Sequence, residues 1–381
     1  MGKRLAVTLV SMALVVAGCY PQEWVAVSPD GKAIIYSAGF GPAGGGNRGV
    51  FWLALEGSSA KKLAAEGWDP QFSPDGRYCA FEGVTSGERV DLVLYDLTTD
   101  TSTALRTWLK TEEESRAPYV LVSWRPDGKE LAYVAWYIGK PGDQEQMTTE
   151  LHLLELADQQ DRTVAENVGI HCGWSPDGKR LAFYQQEGGP LGSLGSLRIL
   201  EGGETASVAG LLLDPYADIT WLSNDRILFV SPKISLPTSE REKNDVQEAV
   251  FTYDLVTRSV GLLQQTEGLS WKQLSSFLRL SPDGRRLLYG TARDEGGTAG
   301  QGKPPFGGGS PVLTLWCYTF ASSQRMKLAE GIHDTYPFWV SNNEVGYVQV
   351  DHTIVIATID ENAAVRETRT LNLDDLLAKT E

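Results

Sequence analysis

The sequence predicts an all-β protein, a seven-bladed β-propeller of four-stranded antiparallel blades. Three observations carry that expectation. A Ser-Pro-Asp-Gly turn followed by an apolar strand recurs along the chain, a second alternating strand and a shorter fourth one follow it in each unit, and Gly 40 and Pro 18 accompany 42% hydrophobic residues. Turn residues in that number beside Trp 11, Tyr 14 and Phe 11 fit many short strands with cores between them, and they argue against disorder.

The repeat starts with Ser-Pro-Asp-Gly at 28–31, 73–76, 175–178 and 281–284, and Arg125-Pro126-Asp127-Gly128 is a fifth copy. Weaker copies are Trp221-Leu222-Ser223-Asn224-Asp225 and Trp339-Val340-Ser341-Asn342-Asn343. In this turn serine takes local hydrogen bonds, proline presets φ, aspartate suits the third position and glycine takes the left-handed conformation, giving a type I turn with a G1 bulge. The weak copies are expected to place Asp225 and Asn343, which tolerate that conformation, where glycine stood. A calcium-loop reading fails because no further acids follow at alternate positions. The third strands fall at 50–55, 91–97, 150–156, 196–200, 250–255, 312–320 and 353–359, and Lys61-Lys62-Leu63 and Arg325-Met326-Lys327-Leu328 exemplify the fourth. One small sheet cannot bury both its faces alone, so seven such units imply blades around an axis. The blades are expected at 24–66, 67–114, 115–166, 167–213, 214–268, 269–330 and 331–375, with a tail at 376–381. No strand is left over to interlock the termini, so closure is expected from packing of the first blade on the last, helped by 374–377.

With its Trp-Ser-Pro-Asp-Gly-basic signature (residues 174–179), the chain resembles the TolB-type, WD40-like (PD40) propeller repeat family over about 350 residues. The α/β domain that precedes the propeller in TolB has no counterpart, so the resemblance is to the repeat and does not carry TolB's role in the Tol–Pal envelope system.

Before the propeller lie Lys3-Arg4, an apolar run at 5–16, and Val16-Ala17-Gly18-Cys19. The pattern reads as an export signal at 1–18. It resembles the lipobox of bacterial lipoproteins, which implies acylation of Cys19 and a tether at 19–23. Tyr20 is not the aspartate that retains lipoproteins in the inner membrane, so the expected address is the outer membrane facing the periplasm in a two-membrane cell, and otherwise the cell surface. Membrane contact is expected through the lipid alone, as no run of 18 apolar residues is present. The net charge of −15 repels phosphate backbones and makes nucleic acid a poor partner. Cys79, Cys172 and Cys317 are odd in number, and no disulfide is expected.

In an A-B-C-D meander the long links fall on one face: 39–47, 137–149, 185–196, 231–248 and 291–311 join strands B and C, and 107–118 joins two blades. Loops on a rigid scaffold commonly carry binding. Counting three residues back from each repeated aromatic gives the residues expected at that channel mouth: Trp24, Asp69, Leu121, His171, Asp218, Phe277 and Tyr336. Trp68, Trp271 and His333 lie beside them. The repeated aromatics Phe72, Trp124, Trp174, Trp221 and Trp339 are expected to pack the core. Neither a histidine–glutamate zinc motif nor a Gly-x-Ser-x-Gly elbow occurs, and the glycine run 297–303 continues into Pro304-Pro305 without a magnesium-binding hydroxyl. The expectation is therefore a non-catalytic scaffold without metal or cofactor, binding an envelope or extracellular protein or peptide through its long-loop face. A glycan-binding or lyase-like surface propeller using the aromatics and acids is the alternative, and a purely structural envelope component is a third reading.

Overall fold

The computed structural model describes residues 23–38, 49–57, 59–86, 88–112, 117–138, 147–186, 195–213, 219–232, 247–263, 269–270, 278–292, 313–332, 337–349, 353–360 and 365–380. Seven four-stranded antiparallel meanders form a ring, and blade 5 gains a short extra pairing of Leu269–Ser270 with Gln247–Glu248. The innermost strands are Glu23–Val27, Gly67–Phe72, Tyr119–Trp124, Val168–Trp174, Ile219–Ser223, Arg279–Leu280 and Phe338–Trp339. Each touches the next around the circle, and the seventh returns to the first.

Burial explains the second strand of each blade. In blade 1, Ala33, Ile34, Ile35, Tyr36 and Ser37 are all buried in sequence, because both faces of the strand meet another blade. Ile34 and Tyr36 pack with Phe51 and Leu53 against Val348, Ile354 and Ile356 of blade 7, while Ile35 and Val50 join Cys79, Phe81 and Tyr95 of blade 2. Alternation thus sends odd and even residues into two different cores.

The Ser-Pro-Asp-Gly turns adopt the expected geometry. Glycine φ is +69° at Gly31, +73° at Gly76, +71° at Gly128 and +68° at Gly178 and Gly284. In the first copy the Ser28 hydroxyl donates to Asp30 at 2.7 Å and accepts from the Ala33 amide at 2.9 Å, and the other serine copies repeat both bonds. A role not visible in one repeat is contact between turns: a Cβ on Gly76 would lie 3.3 Å from Pro29, and one on Gly178 3.5 Å from Pro126. The weak copies differ from expectation. Neither Asp225 nor Asn343 has a positive φ. Ser223 pairs directly with Arg226, and the Val340 amide donates to the Glu344 carbonyl. These hairpins are shorter than the Ser-Pro-Asp-Gly turns and lack the left-handed position that closes them.

The repeated tryptophans do more than fill volume. The indole of Trp124 donates to the Gln71 carbonyl at 3.2 Å, that of Trp221 to Gly173 at 2.7 Å and that of Trp339 to Arg279 at 2.9 Å, each reaching the inner strand of the preceding blade. Hydroxyls stitch in the other direction, from Ser37 to the Gly67 carbonyl, Thr149 to Val168 and Thr220 to Leu278.

Among the described residues no strand crosses the seam between blades 1 and 7. A helix, α1 (Leu373–Leu377), covers it, continued by a 3-10 turn at Ala378–Thr380. Asn372 caps α1 by accepting from the Asp375 amide at 2.9 Å, and Asp374 and Asp375 suit its positive end. Leu373, Leu376 and Leu377 are buried in the cluster shared by the two blades. The boundary drawn from sequence at 375/376 cuts this helix, whose spacing is too short to show a period.

A charged cluster ties blades 2 and 3 together near the rim. Asp161 accepts from Tyr133 at 2.6 Å and from Arg106 of blade 2 at 2.7 Å, and lies 3.6 Å from the Nδ1 of His152, whose Nε2 is 3.1 Å from Glu150. Tyr133 stacks on the His152 ring at 4.8 Å. Burial alone would raise the Asp161 pKa, but bonds from His152, Tyr133 and Arg106 outweigh it and hold the carboxyl at about 2. Burial would depress His152, yet Asp161 and Glu150 together raise it. The Asp161 contribution is therefore present above the ordinary carboxylate range and lost as pH falls toward 2. The His152 contribution is present below its ordinary pKa near 6.5 and lost as pH rises through its folded value. Melting profiles should show Asp161→Asn losing roughly 1 to 2 kcal/mol at pH 5 and little near pH 2. A penalty for Asp161→Asn that is the same at both pH values would refute the assignment.

Candidate functional site

The channel along the axis contains a cavity of about 670 Å³. Described residues of six blades line it, from the level of Asp69, Leu121 and His171 to Pro29, Pro74 and Pro282 at the tight-turn face. Its aromatic walls are Phe72, Trp124, Phe338 and Trp339, and its polar residues are Ser28, Asp69, Gln71, Ser73, Ser123, His171, Cys172 and Arg279.

Two irregular strands aim the ionisable groups. In blade 2, Pro70 has no amide to donate, the register shifts between Trp68 and Gln71, and Asp69 takes φ +45°. A left-handed aspartate before proline is strained, and such residues cluster at functional sites. In blade 4 the register shifts between Val168 and Cys172, and His171 sits in that irregularity. Bulges of this kind re-aim side chains.

Asp69 also holds the ring. One carboxylate oxygen accepts from the Val122 backbone amide of blade 3 at 2.9 Å, and the other from the Gln71 side-chain Nε2 at 3.1 Å. Burial drives its pKa above the usual carboxylate range, in spite of those donors and the nearby His171 and Arg279 charges. Glu82 makes a parallel stitch, accepting from the Val120 amide at 2.6 Å. Cys172 is pushed up to about 12, chiefly by burial and further by Asp69, which leaves a neutral thiol.

Of the residues chosen from sequence, Asp69, Leu121 and His171 meet in the cavity. The backbone of Trp24 pairs with Ser37 in blade 1. Trp68 is 7% exposed and packs in an apolar cluster whose other buried members come from blades 6 and 7, including Ile332, Trp339 and Tyr347, with Val84 of its own blade against it. Its ring is therefore covered. Asp218, Trp271, Phe277, His333 and Tyr336 lie outside the described residues, as do Cys19 and most of the long loops. Arg279 was missed. It stands two positions beyond a chosen residue, the spacing that puts Ser123 on the same side as Leu121 in Tyr119–Trp124. Cys79, Cys172 and Cys317 are separate thiols. Among the described residues no three His, Cys, Asp or Glu are placed to hold a metal, and no helix is long and apolar enough to cross a membrane.

No protein-family model matches the sequence, and no curated protein matches it. Solved structures do. An oligogalacturonate lyase in complex with manganese superposes with a TM-score of 0.59 at 16% identity, over 91% of this chain and 90% of that one. The β-propeller domain of the Trilobed protease from Pyrococcus furiosus, described as having an open velcro topology, gives 0.55 at 11% identity over 90% and 95%. TolB from Acinetobacter baumannii gives 0.46 at 16% identity, and the match spans 80% of this chain and 62% of TolB, less than two thirds of its length. At such identities the first two likenesses establish the propeller fold and nothing further.

Proposed function

We propose that this chain is a lipid-anchored, extracytoplasmic propeller that binds a peptide segment of a protein partner in its axial channel without transforming it. The observation that carries the reading is the convergence of Asp69 and His171, both on irregular inner strands, with Arg279 on one cavity. Its size lies within the roughly 300–1,000 Å³ usual for ligand pockets, and aromatic walls with a few fixed polar groups suit a side chain or chain end. The cavity extends toward the tight-turn face, so binding need not rest on the long loops alone. A sugar-stacking reading draws no support from Trp68, whose ring is covered.

A photo-cross-linking residue at Ser123 tests this in cells, with one at Val256, 75% exposed, as control. The expected result is a discrete adduct, mapping to one partner segment, from Ser123 only. Identical adducts from both positions, or none from Ser123, would refute channel binding.

A further inference from the structure

We infer that the tether from Cys19 holds the long-loop face against the membrane, so that the partner segment enters the channel from the tight-turn face. This rests on the lipid-anchored, channel-binding reading above and gives it an orientation. The inner strand of blade 1 runs toward its tight turn, so Glu23, the first residue of Glu23–Val27, stands at the opposite end of the disc. There it pairs with Ala38, the last residue of the second strand, from which the long link 39–48 departs. Four residue steps separate Cys19 from Glu23, a reach of about 14 Å at full extension. The residues of Glu23–Val27 alone span about 17 Å along the axis, so the tether cannot bring the tight-turn face onto the bilayer. Standing the disc on its rim fails as well. From the innermost to the outermost strand of a four-stranded blade is about 14 Å, at about 4.8 Å per strand spacing, and a tether that crosses the whole blade has no length left to reach lipid. An acyl group on Cys19 is therefore compatible only with the long-loop face toward the membrane. The cavity extends to the other end, where Ser28, Pro29, Ser73, Pro74 and Pro282 line it. That rim is preformed. The serine hydroxyls of its turns donate to Asp30, Asp75 and Asp283 and accept amides from the strands that follow. A rigid rim spares an entering segment the cost of ordering its receptor.

The test uses the full-length acylated chain in phosphatidylcholine vesicles, with a nitroxide on Leu109→Cys or Val256→Cys and a gadolinium chelate on a fraction of the lipid headgroups. Leu109 is 66% exposed and pairs with Arg89 at the long-loop end of its blade, and Val256 is 75% exposed in the turn after Asp254 at the tight-turn end. The unsubstituted chain sets the labelling background of Cys79, Cys172 and Cys317. Relaxation is expected to be severalfold stronger at Leu109→Cys than at Val256→Cys, and the difference to vanish when a flexible Gly-Ser linker of about 20 residues is inserted before Glu23. Equal or inverted relaxation in the acylated chain, or a difference that survives the long linker, overturns an orientation set by the tether. Mass spectrometry of the N-terminal peptide checks the premise separately: Cys19 without acyl groups removes the anchor and the orientation together. In cells, a photo-cross-linking residue at Pro282 should capture the same partner segment as Ser123, and one at Leu109 should not. Capture from Ser123 and Leu109 without Pro282 overturns entry from the tight-turn face and leaves channel binding standing, whereas no capture from Ser123 removes channel binding itself.

Discussion

Ending the chain after Asn372 is expected to open the ring at the seam of blades 1 and 7 and to cost more stability than any single core substitution. The deletion removes Leu373, Leu376 and Leu377, all buried against Phe51, Leu53, Leu55, Ile354 and Ile356. Each large-to-small change in a packed core costs about 2 to 5 kcal/mol, and folded domains have only about 5 to 15 kcal/mol in hand. Leu376→Ala and Leu377→Ala should each lose about 2 to 4 kcal/mol in urea titrations, with the double variant departing from additivity because the two are neighbours. Hydrogen exchange supplies the specific readout. Amides of Glu23–Val27 and Glu344–Val348 should lose protection well before those of Glu130–Ile138, in the middle of the ring. Uniform loss across all blades would mean that α1 adds general stability without acting as a clasp.

The second large effect is expected from Gly31→Ala, read against Gly284→Ala. Both glycines close a Ser-Pro-Asp-Gly turn with almost the same backbone, φ +69° and +68°. Left-handed backbone costs an alanine about 1 to 2 kcal/mol, and that term is common to both. Their surroundings differ. A Cβ on Gly284 would meet nothing within 4 Å, whereas one on Gly31 would overlap the Val340 carbonyl oxygen of blade 7. A backbone atom cannot move aside as a flexible side chain can, so Gly31→Ala has to separate the closing blades and should cost roughly 3 kcal/mol or more. Equal losses at the two sites, measured by chemical denaturation, would show that Gly31 matters only for its dihedral angle and that the seam tolerates expansion.

Much of the architecture could be read from local pattern. Ser-Pro-Asp-Gly specifies its own turn through proline's φ and glycine's left-handed conformation, and Ile34-Ile35-Tyr36 reads as a strand buried on both faces before any neighbour is known. The count of such units then dictates the ring. The site was legible only in part. Asp69 and His171 could be chosen by position, and Pro70 marks a break in the ladder, but the placement of the Trp68 indole against blades 6 and 7 depends on residues far away in the chain.

The sequence by itself determined the turns, the strands, the sevenfold repetition and the expectation of an exported, lipid-bearing chain, because these depend on dihedral preference, alternation and short contiguous motifs. Tertiary structure decided which indole reaches which carbonyl, how α1 covers the seam, and that Asp69, His171 and Arg279 share one cavity. Those outcomes are set by distances between residues remote in sequence, and by the loss of water when blades come together, which no local pattern encodes.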